Sequence, residues 1–369
     1  MLAKQKQVKY MDFVKIIDER FNPDEEYLGT DKEVNRIQPI VSVYIPTYQQ
    51  KDFISECIES VVSQKTSFPY EVLIGEDEST DGTREICMDF AKKYPDKIRL
   101  FLRSRETSVL LDNDGNKVAY LNNKFLRKSC RGQFYAVCEG DDYWIDNKKL
   151  EKQVQLMRQY PECTMSYHSV ILHLHQSGEK IIANKHHQET CIVNSRNIVI
   201  GGGAYCPTCS LMFRKEVFYD DISWMYTFPV GDYFMQMYAS LKGSVLYIDE
   251  IMGVYRKGVP DSWTARTAST EAKFRHTINM LKSMKVFNRK TNFRYHKDLK
   301  QRENMEIYQS LKNAYSYSRE EIRMIKSVIR DETEGGIKLK CYYNLLKSLL
   351  YHKFNLYYVT KMMRKLNLR

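Results

Sequence analysis

The sequence predicts an α/β fold, a mostly parallel sheet flanked by helices, followed by a helical C-terminal region. Three observations predict it. Short β-branched runs closed by turn residues alternate with stretches whose apolar residues recur at helical spacing. Polar and acidic clusters fall directly after those runs, at the strand ends where parallel sheets bind ligands. From about Trp263 onward the strand pattern stops, and Lys, Met, Glu, Tyr and Leu take over at helical spacing.

The elements follow in order. Residues 1–36 read as an accessory segment, a polar helix around Met11, Val14 and Ile17 followed by the acidic, turn-rich connector Asn22-Pro23-Asp24-Glu25-Glu26. Residues 37–262 read as the main domain. IVSVYIP, closed by Pro46, is its first strand, and Phe53, Ile54, Cys57, Ile58, Val61 and Val62 place a helix after it. YEVLIGE is a second strand, Thr83–Lys93 a helix and IRLFL a third strand. Asp112-Asn113-Asp114-Gly115 marks a hairpin or loop, and a helix near Phe125 leads to the strand Phe134–Cys138. Residues 263–369 form the helical region.

Composition narrows the class. Of 369 residues, 43% are hydrophobic and 28% charged, so the chain can bury a large core and is neither collagen-like nor wholly disordered. No apolar run reaches the roughly 18 residues of a membrane span, and MLAKQKQVKYMDF lacks the apolar core of a secretory signal. Nine cysteines without framework spacing read as reduced thiols, so a cytoplasmic location is expected. The net charge of +11 is uneven: residues 335–369 carry eight basic side chains and no acid, leaving +3 for the rest. A nucleic-acid binder would spread that charge over its main domain, so this is a basic tail on an ordinary domain.

Three clusters at strand ends carry the chemistry. Pro46-Thr47-Tyr48 follows the first strand, and Glu76-Asp77-Glu78-Ser79-Thr80-Asp81-Gly82-Thr83 follows the second. The second also suits a plain turn and helix cap, with Thr80 or Asp81 accepting from first-turn amides. A carboxylate beside an aromatic such as Tyr48 equally suits a nucleobase, the ring stacking and the carboxylate accepting. The third, Glu139-Gly140-Asp141-Asp142-Tyr143-Trp144, sets two adjacent carboxylates after a buried-looking strand. Such a pair repels itself unless protons or a cation neutralise it, and hard oxygens suit Mg²⁺ or Mn²⁺ shared with a phosphate-bearing ligand. A lone DD dipeptide is usually a solvated loop; its position, the glycine and the flanking aromatics argue for more here.

VSVYIPTYQQKDFISECIESVVSQ, YEVLIGEDESTDGTREI and GQFYAVCEGDDYWIDNKKLEKQ, in that order and spacing, strongly resemble the inverting glycosyltransferases of sequence family 2. The resemblance is close over residues 38–160 and looser to about 260. It implies a GT-A domain, a Rossmann-like sheet holding a nucleotide-diphosphate sugar at its carboxyl edge. It also implies that Pro46, Thr47 and Tyr48 line the nucleoside site and that Asp77 accepts from the base, usually uracil. Asp141 would lie nearer the ribose and sugar, Asp142 nearer the metal, and Asn123 would match an asparagine of the preceding helix. FPVGDYFMQMY resembles the segment carrying the catalytic base, which gives that role to Asp232; a helix N-cap is its ordinary alternative.

Other motifs are weaker. GGGAYCPTCSLMFRK resembles the segment just before the base, and its Cys206-Pro207-Thr208-Cys209 reads as packed thiols, with no second CxxC to complete a zinc site. His168, His173, His175, His186 and His187 crowd one region, and no metal is assigned to them. Tyr255-Arg256 is followed by Lys257-Gly258 where related enzymes often have a histidine; Arg256 is the candidate for the phosphates, with Lys257 as alternative. In the tail, Leu346, Leu350, Phe354, Tyr358 and Met362 recur among basic residues, which suits a helix packed on the protein or one lying on an anionic membrane.

The expected function is therefore transfer of a sugar from a UDP-sugar to a carbohydrate acceptor, linked to polyprenyl diphosphate, in the synthesis of a surface polysaccharide such as a capsule. The cofactor is Mn²⁺ or Mg²⁺, the location cytoplasmic with peripheral contact at the inner face of the membrane, and no nucleic acid is involved. A sugar-1-phosphate nucleotidyltransferase shares the plan but needs a Gly-rich basic loop after the first strand, and PTYQQKDF is not one. A non-enzymatic polyanion- or membrane-binding protein would use the tail but leaves the ordered acidic clusters unexplained.

Overall fold

The computed structural model describes residues 26–111, 117–260, 269–333 and 335–353. The polar helix read around Met11–Ile17, the Asp112–Gly115 loop and the tail residues Phe354, Tyr358 and Met362 lie outside the described residues. The chain divides into two compact units, residues 1–261 and 262–369.

In the first unit a short helix α1 (Glu33–Arg36) precedes β1 (Val41–Thr47), α2 (Lys51–Val62), β2 (Tyr70–Glu76), α3 (Thr83–Lys93) and β3 (Ile98–Leu102). Next come α4 (Arg105–Ser108), the antiparallel pair β4 (Val109–Leu111) and β5 (Lys117–Tyr120), α5 (Asn122–Ser129) and β6 (Phe134–Val137). The second half adds β7 (Tyr143–Trp144), α6 (Lys149–Gln159), β8 (Cys163–Leu174), β9 (Lys180–Ala183), β10 (Cys191–Val193) and α7 (Ser195–Gly201). It ends with β11 (Met212–Arg214), α8 (Gly231–Lys242) and β12 (Ser244–Lys257).

The main sheet runs β10-β12-β8-β11-β6-β1-β2-β3. β6, β1, β2 and β3 are parallel neighbours, as alternating strands and helices predict. β11 then enters antiparallel between β6 and β8, so the second half of the sheet is mixed. β1 and β2 are covered on both faces, which is why they read as near-continuous apolar runs. Val41, Val43 and Ile45 of β1 pack in one core with Ile54, Ile58 and Val61 of α2, while α5 packs on β1 and β2 as well.

Where polar residues enter this core they are paired. Glu71, fully buried in β2, accepts from Ser42 Oγ at 2.6 Å, Arg131 N at 2.9 Å and the Arg131 guanidinium at 2.6 and 2.9 Å. That network ties the start of β6 to β1 and β2. Gly132 lies against the same point: a Cβ there would meet Ser42 N at 2.6 Å, so only glycine permits the approach.

The second unit is helical, as the loss of strand pattern predicts. It consists of α9 (Thr270–Lys290), α10 (His296–Leu311), α11 (Arg319–Glu332) and α12 (Gly335–Lys353). Phe274, Ile278, Leu281, Ile307, Leu311, Ile325 and Leu345 share its core. Ser318 and Glu321 form a reciprocal capping box that sets the start of α11. Of the tail stripe, Leu346 is exposed and Leu350 half-buried. Among the described residues no helix is long and apolar enough to cross a membrane.

Candidate active site

Backbone hydrogen bonds bring the strand ends together. Asp77 N donates to Thr47 O at 3.2 Å and Gly140 N to Pro46 O at 3.3 Å, so the loops after β1, β2 and β6 lie side by side. Close packing fixes the Gly140 turn: a Cβ there would meet Gln50 Oε1 at 2.3 Å and Thr47 Oγ1 at 2.8 Å. Thr47 Oγ1 donates to Gln50 Oε1 at 2.8 Å, at the head of α2. Asp81 stands just before the N-cap of α3, which is Gly82, and serves both neighbouring helix starts. Its Oδ1 accepts from Thr83 N and its Oδ2 from Lys51 N, both at 3.0 Å, which joins the starts of α3 and α2.

Tyr48 and Asp77 are brought together through a residue that sequence reasoning missed. Arg105, just past β3, donates from Nη1 to Asp77 Oδ2 at 2.7 Å and lies over the Tyr48 ring at 4.0 Å. Asp77 is 4% exposed, and its Oδ1 is buried without a hydrogen-bond partner. Burial raises its pKa, against the Ser108 hydroxyl beside it and the charge of Arg105. A buried carboxylate oxygen with no well-formed hydrogen bond beside an aromatic ring can receive an N–H.

The carboxylates after β6 crowd one another. Asp142 is fully buried; its Oδ1 accepts from Arg256 N at 2.8 Å, and its Oδ2 has no partner. Burial, then the Asp141 and Glu139 charges, push its pKa well up. Burial, Asp141 and Asp232 push Glu139 up to about 8. Arg256 is tied into this loop. Its Nη1 donates to Asp141 O at 2.7 Å, its Nη2 pairs with Glu56, and its guanidinium lies over the Tyr143 ring at 4.4 Å. Lys257 is exposed, so of the two basic residues Arg256 is the one built into this loop.

Among the described residues no three His, Cys, Asp or Glu side chains form a ready-made metal cage. The donor chemistry nevertheless suits a hard divalent cation: mutually repelling carboxylates and the orphaned Oδ2 of Asp142 are what such an ion satisfies.

Asp232 sits in the first turn of α8, whose N-cap is Val230, so it is not the cap itself. Its Oδ2 accepts from Thr208 Oγ1 at 3.1 Å. Burial raises its pKa, while first-turn amides and Thr208 lower it. Its charge is felt at Glu139 and at Tyr44 of β1, which places it across from the β6 loop.

Asn123 is not brought in: it is exposed, while its neighbour Asn122 is buried and donates from Nδ2 to Gly75 O at 2.8 Å, leaving Oδ1 without a partner. Cys206 and Cys209 are buried free thiols. The histidines disperse: His168 is buried with Nδ1 on Ser169 O, His186 stacks on Tyr205, and His175 meets Phe53 edge-on. Arg105, Glu56, Thr208 and Asn122 are the members of the site that sequence reasoning missed. For Arg105 the one available signal was a basic residue directly after a strand end.

Residues 42–220 match the family model described as Glycosyl transferase family 2. An uncharacterized protein of Mycobacterium tuberculosis is 30% identical over 228 residues, 60% of this chain and 60% of its own length. The chain thus spans about 60% of the length of that relative. The UDP-Glc:alpha-D-GlcNAc-diphosphoundecaprenol beta-1,3-glucosyltransferase WfgD of Escherichia coli is 33% identical over 118 residues, 32% of this chain and 41% of its own. The crystal structure of S. aureus TarS 1–349 superposes with a TM-score of 0.56 at 17% identity, over 85% of this chain and 91% of that one, a likeness of fold. The same TarS fragment has been solved in complex with UDP-GlcNAc.

Proposed function

Since the chain carries a glycosyltransferase family 2 domain built on the GT-A fold, we propose that it transfers a hexose-type unit from a UDP-sugar to a carbohydrate acceptor carried on polyprenyl diphosphate, with inversion, in the synthesis of a surface polysaccharide. Residues 37–262 are the catalytic domain in this reading, residues 1–36 an accessory segment, and residues 263–369 a helical region whose basic tail meets the anionic inner face of the membrane. The observation that carries it is the gathering at one sheet edge of three things. These are the orphaned Asp77 Oδ1 beside Tyr48, the Asp141-Asp142 turn held by Arg256, and the Asp232 carboxylate opposite.

Each part has a task. Tyr48 offers a stacking face to the base, Asp77 accepts its N–H, and Pro46 and Thr47 form the adjoining wall. The acceptor hydroxyl oxygen bonds to the anomeric carbon as the bond from that carbon to the diphosphate oxygen breaks. Its proton passes to Asp232, and the electron pair leaves with UDP. Asp142 would hold Mn²⁺ or Mg²⁺, which neutralises charge on the diphosphate when bound. Arg256 anchors the loop and adds positive charge beside it. The name of WfgD, with its UDP-Glc donor and diphosphoundecaprenol acceptor, supports the choice of both substrates.

Calorimetric titration with UDP, GDP, CDP and dTDP, each with and without Mn²⁺, tests this. Tight, metal-dependent binding of UDP alone is the expected result. Failure of the folded protein to bind any nucleotide would overturn the donor site.

A further inference from the structure

A pocket of about 350 Å³ opens between α5 and the segment 215–226, and none of the candidate site residues lines it. Lys124, Arg127 and Lys215 do, and among the described residues none of the three has a carboxylate partner. Lys124 Nζ donates to Tyr120 O, Arg127 reaches Met235 Sδ and faces Phe218 at 6.0 Å, and Lys215 enters no ion pair.

The acids nearby are engaged elsewhere. Asp220 takes Lys242 and the Tyr238 hydroxyl, and Asp221 Oδ1 accepts from Ser223 N at 2.9 Å. Ser223 itself is 4% exposed, lines the pocket, and has a buried Oγ with no partner. Arg127 and Lys215 without acidic partners, the Lys124 amine and an orphaned hydroxyl around one cavity call for an oxyanion. Part of the wall is aromatic: Tyr135 and Phe218 stack there at 5.7 Å with rings 3° from parallel. Tyr135 is buried beneath one face of Phe218, so the half-buried Phe218 ring is the apolar surface this wall offers a ligand.

We propose that this pocket binds an acidic saccharide, its phosphate or carboxylate held by Lys124, Arg127, Lys215 and Ser223 and its ring resting on the aromatic wall. The site needs no nucleotide and stands apart from the donor reading. Its α5 side runs back toward the transferase edge, while Lys215 lies at the other end of β6, where its N donates to Gln133 O. α5 begins at Asn122, bonded to Gly75 O, and Arg127 lies five residues on, about 7.5 Å along the axis. Met235, which Arg127 touches, is three residues beyond Asp232 on α8. Burial and the Arg127 charge lower Lys124 to about 7, and a bound oxyanion would restore its charge.

The full chain is titrated with glucose 6-phosphate, glucuronate, inorganic phosphate and glucose. The two acidic sugars should saturate the site and weaken several-fold in high salt, inorganic phosphate should bind less tightly, and glucose should not bind. Arg127→Met and Lys215→Ala should each weaken acidic-sugar binding about tenfold, as loss of a charge-assisted contact does, while Asp77→Ala and Asp142→Ala leave it unchanged. In the wild-type protein the acidic sugars should also shield Lys124 and Lys215 from acylation, a readout that needs no variant to fold. Equal binding of glucose, or of inorganic phosphate and glucose 6-phosphate, overturns the proposal. So does absence of both binding and shielding, or binding lost in Asp77→Ala and kept in Lys215→Ala.

Discussion

The guanidinium carbon of Arg105 lies 4.0 Å from the ring centroid of Tyr48. Because the same side chain pairs with Asp77, one cation covers both the ring and the carboxylate proposed for the nucleobase. A base that stacks on the Tyr48 face now covered by Arg105 displaces it, while its N–H reaches the open Oδ1 of Asp77. Arg105→Ala should then bind UDP at least as tightly as wild type, while Asp77→Ala binds about tenfold more weakly, the worth of a hydrogen bond to a charged group. Calorimetry on both variants decides; weaker UDP binding by Arg105→Ala would place its charge on the ligand instead.

In the proposed mechanism Asp142 and Asp232 separate binding from chemistry. Asp142→Ala should abolish transfer and remove the metal dependence of UDP binding. Asp232→Asn should keep metal-dependent UDP binding and lower kcat by about 10²–10⁴-fold, the range of a lost general base. Wild-type turnover by either variant would remove that residue from the mechanism.

The pH dependence follows from Asp232. As the proposed base it would work ionised, and burial raises its folded pKa above the usual carboxylate value of 3.8, so activity should fall as pH drops through that raised value. Thr208 donates to Oδ2 and favours the ionised form. Thr208→Val should therefore shift the acid limb of the kcat profile to higher pH, with the plateau rate retained. An unmoved limb would show that another group sets it.

Glu71 offers a test of the scaffold. With Arg131 and Ser42 both directed at it, Glu71→Ala leaves the Ser42 hydroxyl without its acceptor and a part-buried guanidinium without its counter-charge, held only by the Val34 and Asn35 carbonyls. The loss should be about 3–5 kcal/mol by denaturant unfolding, and Glu71→Gln should lose less because its amide oxygen still accepts. Equal stability of Glu71→Ala and wild type would contradict the network.

The parallel half of the sheet was legible because β1, β2 and β3 are apolar runs ending in turn residues, and α2 and α3 follow them with clear helical spacing. β11 was not: three residues carry no period, and only its place between β6 and β8 makes it a strand. The carboxylates of the site could be read because they directly follow strands. Their partners could not, since Arg105 meets Asp77 across 28 positions and Arg256 meets Glu56 across 200. Asn122 and Asn123 differ by one step round a helix, a choice that packing against Gly75 makes and local sequence does not.

The strand order bears on how the chain is made. β1, β2, β3 and β6 come from residues 41–137, but β11, which covers the open side of β6, lies about 75 residues further on. At translation rates of about 5–20 residues per second that interval is roughly 4–15 s. Throughout it the nascent sheet presents a bare β6 edge, and Asp142, whose partner Arg256 is later still, remains hydrated. A chaperone, or a strand from another chain, would first engage the protein along β6.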